Sequence, residues 1–330
     1  MKVTFFQRFP NPKFLSIEKL FSILNIEMIK RGIDTKNIYE VNPNFSLLGF
    51  IKTNLFFKKN QSEINHITGA IHWSVFLLKR KNTVLTIHDA GNISELRGIK
   101  KYFFKILWFY LPLKKLKYVT VISEKTKKEL VALFPWAESK ITVIPNCLTI
   151  PYQDFEKPVN SKPVILAVGY YPKKNLDRIL QAIIGIDVKI IIIGLLSPER
   201  IKFLQENNID YVNFERASEE ELIQAYKDSD ILCFPSLYEG FGLPILEAQE
   251  MKCCVITSNI SPMKEVAGDG AILVNPNSVE EIRKAINNII SDSELKNKLL
   301  ELGQQNVVKY HPEVIAEQYI NYYKMILDQK

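Results

Sequence analysis

Residues 163–169 (PVILAVG), 188–194 (VKIIIIG) and 230–235 (DILCFP) decide the fold. Each is a short run of consecutive apolar residues ending at Gly or Pro, so each reads as a strand with both faces covered rather than one that alternates between core and water. Helical spacing over 176–184, 198–207, 218–227 and 243–251 separates these runs from one another and from further strands expected at 211–214, 253–258 and 271–275. Strand and helix in alternation predict a doubly wound parallel sheet, whose ligands lie beyond the carboxyl ends of the strands.

The first half repeats the pattern less cleanly. Strands are expected at 3–6, 83–88, 118–122 and 141–144, and helices at 14–31, 71–79, 100–111 and 124–133. Residues 145–163 lack a regular pattern and carry Pro151 and Pro158, so they read as a linker. Helices at 278–290 and 293–309 follow the second sheet, and His311-Pro312 breaks the pattern before a last helix, 312–330, expected to pack back on the first half. The expected fold is α/β, two doubly wound Rossmann-like domains, 1–150 and 151–311, facing across a cleft.

The chain of 330 residues carries a net charge of +7, which hides a division. Residues 1–150 hold 24 Lys+Arg against 10 Asp+Glu, and residues 151–330 hold 19 against 26. A basic body joined to an acidic one suits an anionic ligand on the basic side. Nucleic acid is not the expected partner, because no recognition helix, aromatic RNA-binding strand or zinc module is present in the sequence. Met1-Lys2 leads directly into a strand-like run rather than a signal peptide, and the longest apolar stretch, 102–113, is interrupted by Lys105 and too short to span a bilayer. The expected location is the cytoplasm, with the basic half a candidate for the inner face of the cytoplasmic membrane. Cys147, Cys233, Cys253 and Cys254 show no metal-binding spacing and read as reduced core thiols. Asp228-Ser229-Asp230 imitates a D-x-D metal site, but its position between a helix end and a buried strand makes it capping and solvated charge. No metal and no cofactor are expected.

The chemistry concentrates in 236–248 (SLYEGFGLPILEA). Gly240 and Gly242 permit a tight turn and close backbone approach between Glu239 and Glu247. Pro244 suits the first turn of the next helix, whose unpaired N–H groups can hold a diphosphate. Glu247 falls about one turn into that helix, suited to ribose hydroxyls, and Glu239 stays on the loop.

This segment resembles the E-x7-E signature of the retaining glycosyltransferases of family 4, which have the GT-B fold. Other elements follow in family order over nearly the whole chain: Thr86 to Asp89 (TIHD), Val121 to Glu124 (VISE), Val143 to Asn146 (VIPN), Val168-Gly169 through Lys174-Asn175, and Leu273 to Pro276 (LVNP). The resemblance implies transfer of a sugar from a GDP- or UDP-sugar to a glycan or lipid-linked acceptor, in cell-surface polysaccharide synthesis, with retention and without metal. It implies that the first domain binds the acceptor and the second the donor. It assigns the diphosphate to Lys173, Lys174 and the backbone of Gly240, Phe241, Gly242 and Leu243, with Gly169 and Tyr170 in the same donor loop. Glu247 goes to the ribose, and Glu239 and His88 to the sugar.

Three departures from the family pattern stand out. Tyr170 occupies the place of an Arg, whose charge Lys173 or Arg8 would have to replace. Gln7 to Pro12 replaces a Gly-rich loop, and Glu215 stands for a Gly near the base. A non-catalytic nucleotide-sugar-binding subunit is the alternative, against which Glu239, Glu247, Lys174 and His88 all stand. A dinucleotide oxidoreductase is excluded, because no Gly follows the first strand between Phe6 and Pro12. Finally, Arg97, Lys101 and Lys105 recur at four-residue spacing beside Ile99, Tyr102, Phe103, Ile106 and Tyr110, with Lys114, Lys115 and Lys117 following. That pattern suits a helix lying on an anionic membrane surface.

Overall fold

The structure, a computed structural model, describes residues 1–10, 16–41, 46–90, 98–151 and 154–329. Asn11, Pro12, Gly91 and Arg97, and the side chains of Ile99 and Lys101, lie outside what is described. The chain divides into two compact units, Met1–Thr149 with His311–Lys330, and Ile150–Tyr310.

Unit 1 is built on six parallel strands: β1 (Lys2–Gln7), β2 (Asp34–Tyr39), β3 (Ile64–Ile67), β4 (Thr83–Ile87), β5 (Tyr118–Val121) and β6 (Ile141–Val143). Their spatial order is β2-β1-β3-β4-β5-β6, so the direction of winding reverses between β1 and β3. Unit 2 holds β7 (Val164–Val168), β8 (Lys189–Ile193), β9 (Asp210–Phe214), β10 (Ile231–Phe234), β11 (Cys254–Ser258) and β12 (Ile272–Val274), in the order β12-β11-β10-β7-β8-β9. Here the reversal falls between β7 and β10, which pair in parallel through Ile165 opposite Ile231 and Leu166 opposite Leu232. A crevice opens beyond the strand ends at such a reversal, because the two connections leave to opposite faces of the sheet. The core of unit 2 is aliphatic, with Ile165, Ile190, Ile192, Ile231 and Ile256 at or near zero exposure. The helix Pro312–Asp328 returns to unit 1, where Ile315, Tyr319, Ile320 and Tyr323 pack with Phe5, Phe21 and Leu24.

Unit 1 departs from the sequence expectation in five places. β2 and β3 were not expected: β2 is a half-exposed edge strand (DTKNIY), and β3 (INHI) carries Asn65 and His66 with no exposure at all. The helix Leu47–Lys59 was also not expected; it buries Gly49, Thr53, Asn54 and Phe57 while Leu47, Leu48, Ile51 and Leu55 face outward. Its apolar periodicity marks the exposed face. The helix expected at 71–79 is a single 3-10 turn, His72–Val75. The one expected at 100–111 runs as Gly98–Phe104, a π-helical turn Lys105–Tyr110, and Leu111–Lys115. The wider turn begins at Lys105, so it changes the spacing only between Lys105 and Lys114, Lys115 and Lys117. Among the described residues no helix is long and apolar enough to cross a membrane.

Candidate functional site

In unit 2 the loops after β7 and β10 meet at the reversal point. Leu237 donates its backbone N–H to the Lys173 carbonyl at 2.8 Å. Asn175, in the left-handed region at φ 64°, donates through Nδ2 to the carbonyls of Pro235 (2.9 Å) and Pro276 (2.6 Å), so one buried amide fastens the loops after β7, β10 and β12. An unsatisfied amide there would cost folding energy, which makes the triple junction rigid.

Lys174 and Glu239 are brought together on this platform. Lys174 Nζ lies 2.7 Å from Glu239 Oε1 and 4.7 Å from the centroid of the Phe234 ring. Both side chains are mostly buried, so their attraction is less screened than in a surface ion pair, and the ring face adds a cation–π attraction. Gly169 makes the approach feasible: at φ 96° a Cβ there would stand 2.7 Å from Lys174 Cγ. Lys173 is exposed.

Gly242, at φ 118°, starts the helix Leu243–Glu250, which has no side-chain cap and carries Pro244 in its first turn. Phe241 buries its ring against Tyr310, centroids 5.9 Å apart, so what Phe241 can offer a ligand is backbone. Glu247 is buried, and Tyr226, from the helix Glu219–Asp228, donates its phenol to Glu247 Oε2 at 2.8 Å. Burial first, and the Glu247 carboxylate second, push the Tyr226 hydroxyl well above its ordinary range. The phenol therefore keeps its proton and donates. Tyr226 was not found from the sequence; a Tyr on an otherwise acidic, amphipathic helix carries no signal of its partner.

Tyr170 stacks on Tyr171, centroids 4.3 Å apart, and its ring covers Gly194, where a Cβ would meet it at 2.8 Å. Arg200 donates to the Tyr170 carbonyl at 2.9 Å, but its guanidinium is held by Asp177 through Nε and Nη2. A cavity of about 550 Å³ opens on this flank, lined by Tyr170, Asp177, Leu180, Ser197, Arg200 and Phe203; Lys174, Glu239 and Glu247 do not line it. Lys174 and Glu239 meet instead where the β7 and β10 loops come together.

In unit 1, His88 follows β4 and donates Nε2–H to the Thr68 carbonyl at 2.7 Å. A carbonyl only accepts, which fixes the tautomer and leaves Nδ1 as an acceptor. Burial holds the imidazole below its ordinary pKa, against the opposing pull of the Thr68 hydrogen bond. Gly69, at φ 136°, leaves room for the ring: a Cβ there would stand 2.6 Å from His88 Cδ2. Arg8 is bound to Glu18 through Nε and through Nη2 at 3.0 Å.

Among the described residues no group of three or more His, Cys, Asp or Glu could hold a metal ion. Asp230 sits at the amino end of β10, away from the crevice, held by Asn160, the Val164 amide and Lys296. The four cysteines are buried and free, and burial raises the thiols of Cys147 and Cys254 to about 12.

The model of the family described as Glycosyl transferases group 1 matches residues 152–325, and that described as Glycosyltransferase Family 4 matches residues 27–150. The O-antigen chain mannosyltransferase B of Escherichia coli is 27% identical over 234 residues, 64% of this chain and 61% of that protein. The O-antigen chain mannosyltransferase RfbU of Salmonella typhimurium is 30% identical over 227 residues, 66% of this chain and 63% of that one. The chain thus matches somewhat over three fifths of the length of these relatives. Among solved structures, sucrose-phosphate synthase of Thermosynechococcus elongatus superposes with a TM-score of 0.75 over 100% of both chains at 16% identity. HepE of Anabaena, in complex with UDP, gives 0.73 over 98% of this chain and 100% of its own at 15% identity. These similarities establish the GT-B fold.

Proposed function

The chain belongs to the group-1 glycosyl transferases, and from that premise we propose that it transfers a sugar from a nucleoside-diphosphate sugar to a glycan or lipid-linked acceptor, with retention of configuration and without a divalent metal. The observation that carries this is the meeting of Lys174 and Glu239 at the β7–β10 reversal, with Glu247 on the adjoining helix. A crevice with one ammonium, a Gly-turned helix start and two carboxylates suits a diphosphate flanked by two hydroxyl-rich sugars.

Unit 2 takes the donor on this reading and unit 1 the acceptor. Lys174, aided by Lys173 and by backbone amides of Gly240 to Leu243, offsets the charge that develops on the leaving diphosphate. Glu247 accepts from the ribose, Glu239 from the transferred sugar, and His88 Nδ1 from a sugar hydroxyl. The C1–O bond to the diphosphate breaks and its electron pair leaves with the phosphate. The acceptor oxygen bonds to C1 on the same face, and its proton passes to the departing phosphate oxygen. The names of both relatives favour a mannosyl donor and a polysaccharide product, and the UDP in HepE favours a nucleoside diphosphate.

The test is a panel of GDP- and UDP-sugars, scored for nucleotide release and for the anomer of the product. Release of nucleoside diphosphate with a retained anomer, undiminished by a chelator, is the expected result. A protein that binds and turns over none of them overturns the GDP- or UDP-sugar donor reading. Restoration of activity by magnesium or manganese after chelation would end the metal-independent part.

The basic unit 1 is further proposed to rest on an anionic lipid surface. Tyr102 and Phe103 are exposed, and Lys114 and Lys140 lie over the exposed Trp136 ring at 4.6 and 5.2 Å. Co-sedimentation with vesicles should rise with anionic lipid and fall with salt; indifference to such vesicles at low salt points to a soluble acceptor instead.

A further inference from the structure

Tyr226 has no exposed surface, yet its hydroxyl reaches Glu247, the carboxylate that the proposed function gives to the ribose. The two residues come from different helices, and their separation is set from behind by one ammonium. Lys157 Nζ donates to the Tyr226 carbonyl at 2.8 Å and to the Met251 carbonyl at 2.9 Å. Met251 caps the helix that carries Glu247. The Cys253 thiol donates to the same Tyr226 carbonyl at 3.1 Å. These bonds hold the Tyr226 backbone in place, and burial confines its ring beside the carboxylate.

A carboxylate on a helix turns about its side-chain torsions unless something pins it, and two vicinal hydroxyls can be accepted together only in one plane. We propose that Tyr226 is a positioning residue: its phenol pins Glu247 Oε2 and sets the carboxylate plane that accepts the ribose hydroxyls of the donor. The proposal rests on the nucleotide-sugar reading above. It adds that discrimination for a ribose over a deoxyribose depends on a residue that never touches the nucleotide.

The test measures dissociation constants of UDP, GDP and their 2′-deoxy counterparts for the wild-type protein and for Tyr226→Phe, Glu247→Gln and the double variant. Wild-type protein should prefer the ribonucleotide by about 10-fold or more, the worth of one hydrogen bond to a charged group. Tyr226→Phe should shrink that ratio several-fold while leaving the affinity for the deoxynucleotide within about 3-fold. Added to Glu247→Gln, it should change the ratio no further. The double variant also covers the case in which Tyr226→Phe alone does not fold, since removing both partners leaves no buried carboxylate short of a donor. Equal weakening of both nucleotides, an unchanged ratio in Tyr226→Phe, or a further loss in the Glu247→Gln background overturns the proposal. Failure of the wild-type protein to bind any of the four nucleotides is a different outcome, one that removes the nucleotide-sugar reading and the positioning role with it.

Discussion

At the reversal point of each sheet a glycine in the left-handed region lies against the side chain of a candidate site residue. In unit 1 it is Gly69 against the His88 ring, and in unit 2 Gly169 against the Lys174 stem. The device is shared, but the groups differ: a neutral imidazole held by a carbonyl in one unit, an ammonium paired with a carboxylate in the other. The same contrast runs through the cores. Unit 1 threads a polar string through its sheet, from Tyr323 to His66 to Thr86 (2.7 Å) to Thr120 (2.7 Å), where unit 2 has isoleucines. Unit 1 holds 26 Lys+Arg against 13 Asp+Glu, all four histidines and all three tryptophans, and unit 2 holds 17 against 23. One architecture can thus be held either by aliphatic packing, which ignores pH, or by a hydrogen-bonded string whose members titrate.

Acid should therefore separate the units most strongly. Burial lowers His66 to about 3 and His72 to about 4, from 6.5. Below pH 6.5 the unfolded chain binds protons that the native imidazoles refuse, so their contribution is complete above that pH and declines as the pH falls toward the folded values. From pH 7 to pH 5 each should cost about 2 kcal/mol, roughly 4 kcal/mol together. In unit 2, Asp177 is held below the usual range by the Arg200 hydrogen bond, and its contribution fades only as the pH falls through the carboxylate range. Denaturant unfolding followed by tryptophan fluorescence reads unit 1 alone; a midpoint unchanged between pH 7 and pH 5 would remove the contrast.

Activity should divide the other way. If Lys174 faces the leaving group as proposed, Lys174→Ala lowers kcat by on the order of 100-fold or more at saturating donor. His88→Ala, which loses a neutral acceptor, should cost about 10-fold. A larger loss at His88 would mean that unit 1 carries the decisive electrostatics.

The smallest effect distinguishes the two glycines. Gly69→Ala meets a ring fixed by its hydrogen bond to Thr68, whereas Gly169→Ala meets the flexible stem of a lysine. Both enter a strained backbone region, at about 1–3 kcal/mol, and Gly69→Ala should lie at the upper end and Gly169→Ala at the lower, measured as shifts in urea midpoint. The reverse order would show that the imidazole is the more yielding neighbour.

Unit 2 was legible because β7, β8 and β10 are continuous apolar runs, and the turn from Glu239 to Glu247 follows directly on one of them. Strand identity there depends on local composition, and so does the place of Lys174 just after β7. The strand β3 was not legible, because Asn65 and His66 are polar and become core residues only through partners far along the chain, Tyr323 and Thr86 for His66. The helix Leu47–Lys59 concealed itself by turning its apolar side outward. In the candidate site, residue type and spacing singled out Glu239 and Glu247 along a Gly-turned loop, and the family resemblance supplied Lys174 and His88 as candidates. Only the tertiary structure joined Lys174 to Glu239, tied Asn175 to three loops and set Tyr226 behind Glu247. A hydrogen bond between side chains many residues apart depends on where two elements cross, and nothing in the local spacing of either element encodes that crossing.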